Sequence, residues 1–192
     1  MVVLGIDEVG RGSLAGPLVV GAVVLDRKIP GIKDSKLLSR TQRERYYDEI
    51  IARAKFTGLG WVSVEEVDGF GLSRALRLGA ARALNGFDLC VDRIVLDGNY
   101  DYLSEICTAE TIVMADLIIP AVSAASIIAK VARDKYMIDL ANKFPLYSFD
   151  KHVGYGTAIH IDALRRYGAC IHHRRSFEPL KSILSIETVK SP

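Results

Sequence analysis

A chain of 192 residues, 49% of them hydrophobic, is long enough to bury an ordinary core without metal or disulfide staples. Cys90, Cys107 and Cys170 lie far apart with no C-x-x-C pair, which argues against a disulfide framework and suits a reducing compartment. The formal net charge of +2 is too small to define a class of partner, and no apolar run is long enough to span a bilayer, so the expectation is a cytoplasmic protein without membrane contact.

Residues 2–6 are nearly all apolar, as in a central strand covered on both faces, with Asp7 at its carboxyl end. Gly16-Pro17 then punctuates the chain before a second apolar strand over 18–25. Ser39-Arg40-Thr41-Gln42 has the form of a capping box and opens a helix to about residue 54. A third strand is placed at 56–64, weakened by Gly58 and Gly60. A second helix runs over 73–84 and ends at Asn85-Gly86. Arg93-Ile94-Val95-Leu96-Asp97-Gly98 reads as a fourth strand ending in an aspartate, and 111–115 as a fifth leading into Asp116. Pro120 precedes a long helix over 124–143, and Thr157 caps a further helix that Gly168 ends. No repeat or linker divides the chain. Residues 1–192 are therefore read as a single α/β domain, a mixed five-stranded sheet flanked by helices with a helical C-terminal part.

Three of these strands end in acidic residues, and open α/β sheets place their sites at the carboxyl ends of strands. If Asp7, Glu8, Asp97 and Asp116 converge, two carboxylates ~4 Å apart repel by roughly 4 kcal/mol at an effective dielectric of 20. Hard divalent cations relieve that repulsion, Mg²⁺ above all where phosphate oxygens complete the shell. Consecutive residues on a regular strand face opposite sides, so Asp7 and Glu8 can share an ion only if the strand breaks at Glu8, which Gly10 and Gly12 would permit. The chemistry that suits such a cluster is phosphodiester hydrolysis by two metals ~4 Å apart. No Walker-type loop is present to suggest a nucleoside triphosphate instead. Taken alone, Asp97-Gly98 reads as a turn, and the basic residues Arg165, Arg166, His172, His173, Arg174, Arg175 and Lys181 read as a solvated face.

Several motifs in order carry a resemblance. They are Gly5-Ile6-Asp7-Glu8-Val9-Gly10-Arg11-Gly12 with Ala15-Gly16-Pro17, Asp34-Ser35-Lys36, Leu96-Asp97-Gly98-Asn99, and Ala115-Asp116 with Ala124-Ala125-Ser126-Ile127-Ile128-Ala129-Lys130-Val131-Ala132-Arg133-Asp134. Gly154-Tyr155-Gly156-Thr157 and His173-Arg174-Arg175-Ser176-Phe177 follow. Together they resemble the type 2 ribonucleases H, also called ribonuclease HII. The resemblance implies a ribonuclease H-like fold and a metal-dependent endonuclease that hydrolyses the RNA strand of RNA/DNA hybrids. It further implies incision on the 5′ side of ribonucleotides embedded in duplex DNA, leaving 3′-hydroxyl and 5′-phosphate ends, in excision of misincorporated ribonucleotides and removal of RNA primers.

By that likeness Asp7, Glu8, Asp97 and Asp116 are the catalytic, metal-binding acids, with Asp7 bridging two Mg²⁺ or Mn²⁺ ions. Gly10-Arg11-Gly12 matches a loop whose backbone meets the ribose 2′-hydroxyl, and Tyr155 matches a tyrosine that reads the RNA-to-DNA junction. Lys36, Lys130, Arg133, Arg174 and Arg175 occupy positions that could hold phosphates. Plainer readings stand beside these: Tyr155 as a turn aromatic packed on the next helix, and Lys130 as the i,i+4 partner of Asp134. His152 and His160 lack metal spacing and are read as surface or phosphate-side residues.

The chain departs from the family pattern at Val153 and Leu37, where lysines are usual, at Met114, where a lysine and glycine context is usual, and at Gly69-Phe70-Gly71. These changes bear on affinity and salt dependence more than on the reaction. The start of the chain almost at its first strand favours type 2 over the related type 3 enzymes, residues 183–192 carry no sliding-clamp motif, and the protein is read as a monomer. Competing functions are a non-catalytic nucleic-acid binder and a two-metal phosphodiesterase acting on a small molecule or all-DNA duplex.

Overall fold

A computed structural model describes residues 1–32, 35–88 and 90–183. The Asp34 part of the Asp34-Ser35-Lys36 motif, the Lys36 side chain and all but the first of residues 183–192 lie outside the described part.

The elements run β1 (Val3–Val9), β2 (Leu18–Leu25), α1 (Arg40–Arg53), β3 (Ala54–Val62), α2 (Val64–Phe70), α3 (Leu72–Ala83), β4 (Arg93–Asp97), β5 (Glu110–Ile112), α4 (Ala115–Ile118), α5 (Pro120–Lys143), α6 (Phe149–His152) and α7 (Ala158–Tyr167). Five strands form one sheet in the order β3-β2-β1-β4-β5. The β1/β2 and β2/β3 pairs are antiparallel, whereas β1/β4 and β4/β5 are parallel. This is the mixed sheet expected of a ribonuclease H-like fold, with the helical C-terminal part in place.

The central strands β1 and β2 are covered on both sides. One face packs with α3 into a core that includes Leu4, Ile6, Val20, Leu76 and Leu96, and the other packs on α5 through Val23, Ala124, Ile127 and Ile128. Burial of this apolar surface drives the layering at about 25 cal/mol per Å². Backbone contact between layers explains the strand glycines. A Cβ on Gly5 would lie 2.1 Å from the Ala121 carbonyl carbon in α5, and one on Gly58 would lie 1.8 Å from the Ala83 oxygen in α3. Gly58 thus weakens β3 intrinsically but lets α3 lie against it.

Both ends of α1 follow the sequence reading, and the Ser39/Gln42 capping box is present. The third strand differs: it covers Ala54–Val62, and a second capping box, Ser63 with Glu66, starts α2 where the apolar run suggests more strand. The long helix begins four residues before the expected 124, because Pro120 occupies its first turn, where its missing N–H costs nothing.

Candidate active site

The β1/β4 ladder ends at the pair Ile6 and Leu96. The next residues, Asp7 within β1 and Asp97 at the end of β4, therefore sit side by side on adjacent parallel strands just past the last pair of that ladder. Asp116 reaches them from the first turn of α4. One carboxylate oxygen from each of Asp7, Asp97 and Asp116 lies within 4.8 Å of the other two. Asp7 and Asp116 are buried and Asp97 is half-buried. The expectation that Asp116 follows directly on a strand needs correction. β5 stops at Ile112, and Met114, in the left-handed region at φ 60°, turns the chain into α4.

The strand break expected at Glu8 does not occur. β1 keeps its ladder with β2 as far as Val9 and Val19, so strand alternation separates Glu8 from Asp7. Glu8 stays outside the close group of three. Its Oε2 accepts from the Tyr102 hydroxyl at 2.9 Å, and its Oε1 accepts from Arg11 at 3.4 Å. Tyr102 is a site residue that sequence reasoning missed, since nothing in the local pattern separates it from any other core tyrosine.

Electrostatics match this geometry. Burial, then the charges of Glu8 and Asp97, push the Asp7 carboxyl well above the usual range, against hydrogen bonds from Ser126 and from the Glu8 amide at 2.7 Å. Burial also raises Glu8, opposed by Tyr102 and Arg11. The Tyr102 phenol is held far above its ordinary value by burial and by Glu8 and Asp7, so it remains a proton donor at neutral pH. An all-oxygen group of this kind, buried and mutually repelling, fits a hard divalent cation.

An open cleft of about 390 Å³ adjoins the group, lined by Asp7 and Glu8, by Gly10–Gly12 and Tyr155, and by Ser126 and Lys130. Gly10 and Gly12 differ in role. At Gly10, φ is 85° and a Cβ would meet Arg133 Nε at 2.3 Å, so the residue is glycine for internal reasons. A Cβ on Gly12 would meet nothing within 4 Å, and that side of the turn stays open.

The expectation that Arg133 and Arg174 hold phosphates fails. Both are 0% exposed. Arg133 donates to the carbonyls of Pro17, Ala15 and Val153 and to Ser13 Oγ at 2.7–3.0 Å. Arg174 donates twice to the Gly16 carbonyl and once, at 3.3 Å, to that of Arg11. Two guanidinium forks fill the space behind the β1–β2 loop and satisfy carbonyls that the irregular backbone leaves unpaired. Arg133 also lies 5.6 Å from the centroid of the Tyr155 ring, bridging loop and tyrosine. Tyr155 therefore faces the cleft with a cation behind it.

The reading of His152 and His160 as surface residues is corrected as well: they are 6% and 0% exposed and pack with His173 and Phe149. The C-terminal basic run thus divides, with His173 and Arg174 buried and Arg165, Arg166 and Arg175 exposed. Lys130 lines the cleft and also pairs with Asp134 at 2.8 Å, as its plainer reading had it.

This fold with its acidic group defines a hydrolase of the ribonuclease H class. The family model described as Ribonuclease HII matches residues 4–179, and the chain belongs to that family, the type 2 endoribonucleases H. It is 46% identical over 187 residues to a ribonuclease HII of Burkholderia pseudomallei (strain 1710b), covering 96% of this chain and 87% of the relative. Among solved structures it is similar to the ribonuclease H2 of Pyrococcus horikoshii OT3, with TM-score 0.81, 29% identity and full coverage of both chains. It is also similar to the ribonuclease HII in a complex with PCNA from Archaeoglobus fulgidus, with TM-score 0.79, 28% identity, and 93% and 96% of the two chains covered.

Proposed function

We propose that this protein is a divalent-metal-dependent endonuclease that cleaves the RNA strand of RNA/DNA hybrids. It also incises 5′ of single ribonucleotides in duplex DNA, leaving 3′-hydroxyl and 5′-phosphate ends. The observation that carries the reading is the meeting of Asp7, Asp97 and Asp116 within 4.8 Å, beside a cleft that Gly12 leaves open and Tyr155 lines. Asp7, Asp97 and Asp116, with Glu8 at the rim, would hold Mg²⁺ or Mn²⁺. Bound there, such ions supply an activated water and neutralise charge on the leaving oxygen.

The rest is work for side chains and backbone. The Tyr102 hydroxyl and Arg11 hold Glu8 in one orientation. The Gly10-Arg11-Gly12 turn offers backbone to a ribose 2′-hydroxyl, and the Tyr155 ring packs against the sugar that follows, favouring deoxyribose. Lys130 and Arg175, with Lys36, supply phosphate contacts independent of sequence. Residues 1–192 act as one catalytic unit, in the cytoplasm and as a monomer, in removing misincorporated ribonucleotides and RNA primers.

The test is a duplex containing one ribonucleotide, incubated with Mg²⁺ or Mn²⁺. Incision on the 5′ side is expected, abolished in Asp7→Asn and Asp97→Asn. No incision in either metal, or incision unchanged in both variants, refutes the reading. Binding without product would select a non-catalytic binder, and equal cleavage of an all-DNA duplex a different phosphodiesterase.

A further inference from the structure

The buried imidazoles of His160 and His173 take no part in the chemistry above, yet they are bonded to the backbone of the turn that carries Tyr155. Counting hydrogens fixes their tautomers. A carbonyl only accepts, so the 3.0 Å contact between His160 Nδ1 and the Tyr155 oxygen places the proton on Nδ1 and leaves Nε2 bare. His173 Nε2, 3.0 Å from that bare nitrogen, must then carry its own proton. Its Nδ1 is bare in turn and accepts the Cys170 amide N–H at 3.0 Å, with the Cys170 thiol 3.1 Å away. The result is a directed chain from the Cys170 amide through His173 and His160 to the Tyr155 carbonyl.

His152 completes the frame. Its Nε2 donates to the Tyr147 carbonyl at 2.8 Å, its Nδ1 accepts from the Gly154 amide at 3.2 Å, and its ring stacks on His160 with centroids 4.3 Å apart. The Gly154 carbonyl accepts from Leu14 and Ala15. The backbone on either side of the Gly154–Tyr155 peptide is therefore held by imidazoles and by the β1–β2 loop at once.

We propose that His160 and His173 are positioning residues for Tyr155: their relay holds the Tyr155 carbonyl, sets the ring against the cleft, and so governs discrimination for the RNA-to-DNA junction. The proposal rests on the reading of Tyr155 given above. Both rings work only in the neutral state. A proton on His160 Nε2 would face the N–H of His173, and one on His173 Nδ1 would face the Cys170 amide. The titratable groups facing the pair are His152, His172, Cys170 and Tyr147, whose hydroxyl donates to the Gly168 carbonyl at 3.0 Å. The Phe149 ring packs on both imidazoles. Burial first, then the charge of His152 on His160 and of His160 on His173, holds both histidines at about 4, in agreement with that requirement.

Nitrogen NMR of histidine-labelled protein at neutral pH should find His160 protonated at Nδ1 and His173 at Nε2. The Tyr155 ring resonances should shift in His160→Phe and return in His160→Asn, whose amide N–H replaces Nδ1–H. The ratio of kcat/KM on a single-ribonucleotide duplex to that on an all-RNA/DNA hybrid should fall about tenfold in His160→Phe, the size of one lost hydrogen bond. It should fall less than about threefold in His160→Asn and in His173→Gln, which retain the relevant donors. If His160→Phe does not fold, His160→Gln takes its place, since its donor sits where Nε2 was and cannot reach the carbonyl. An unchanged ratio with unshifted Tyr155 resonances, while Tyr155→Ala loses discrimination, overturns the relay and keeps the reading of Tyr155. A wild-type ratio in Tyr155→Ala, with the resonances still moving in His160→Phe, refutes that reading but supports the relay as the support of this turn.

Discussion

Replacing Asp7 with asparagine should stabilise the metal-free protein while removing its response to metal. Asp97 and Asp116 each place an oxygen within 4.8 Å of one on Asp7. At that separation and an effective dielectric of 20, each pair of charges repels by roughly 3 kcal/mol. Protonation of Asp7 relieves part of this, so the expected gain is about 1–3 kcal/mol, or ~2–10 °C in Tm for a chain of this size. The pH dependence has a definite sign. A carboxyl raised in the folded state binds its proton more tightly there than in the unfolded chain, so wild-type stability without metal falls as pH rises from the unfolded carboxyl range toward neutrality. The advantage of Asp7→Asn should accordingly widen at neutral pH and close near pH ~4. Thermal melts in EDTA and in Mg²⁺ or Mn²⁺, across pH, measure all of this. If Asp7→Asn melts below wild type in EDTA at neutral pH, or if metal raises both proteins equally, Asp7 does not belong to a strained cation site.

Three further outcomes are expected. Arg133→Met should cost about 3–5 kcal/mol in urea unfolding by leaving buried carbonyls and Ser13 without donors, yet leave the salt slope of nucleic-acid binding unchanged; a shallower slope would return Arg133 to a phosphate role. His160 and His173, lowered from 6.5 to about 4, should make stability full above pH 6.5 and lost as pH falls toward 4, by about 3 kcal/mol for one histidine and less than double for the interacting pair. Acid melts of His160→Asn should show a smaller fall over that window, and an equal fall would assign the acid sensitivity elsewhere. Met114→Gly should gain ~0.5–1 kcal/mol by relieving the left-handed backbone at an exposed position, and a lower Tm would show that the Met114 side chain contributes packing.

Local patterns read well where a single force dominates. The second strand, the fourth strand and the Ser39 cap were all legible because a continuous apolar run or a side-chain cap decides them without reference to the rest of the molecule. α2 was harder: its own cap, Ser63 with Glu66, is hidden behind the apolar end of β3. At the site, strand alternation makes the difficulty of seating Asp7 and Glu8 on one ion legible in the sequence, but not how the fold answers it. The strand continues, and Glu8 turns to Tyr102, a contact across 94 positions that no local signal encodes. Arg133, Arg174, His152 and His160 failed for a related reason. Their charge or polarity suggests solvent, and only the tertiary fold supplies the carbonyls that let them be buried.

The bridge between Ala15 and His173 has a consequence for synthesis of the chain. The acids that would cut lie on β1, β4 and α4, all of which are synthesised before α5. The loop beside them gains its last donor only when Arg174 arrives, and the Tyr155 turn closes only with His173. A nascent chain therefore carries Asp7, Asp97 and Asp116 before it carries the residues proposed to frame a substrate. Because both ends of that frame depend on one late segment, the proposed recognition would be complete only when nearly the whole described chain has been made.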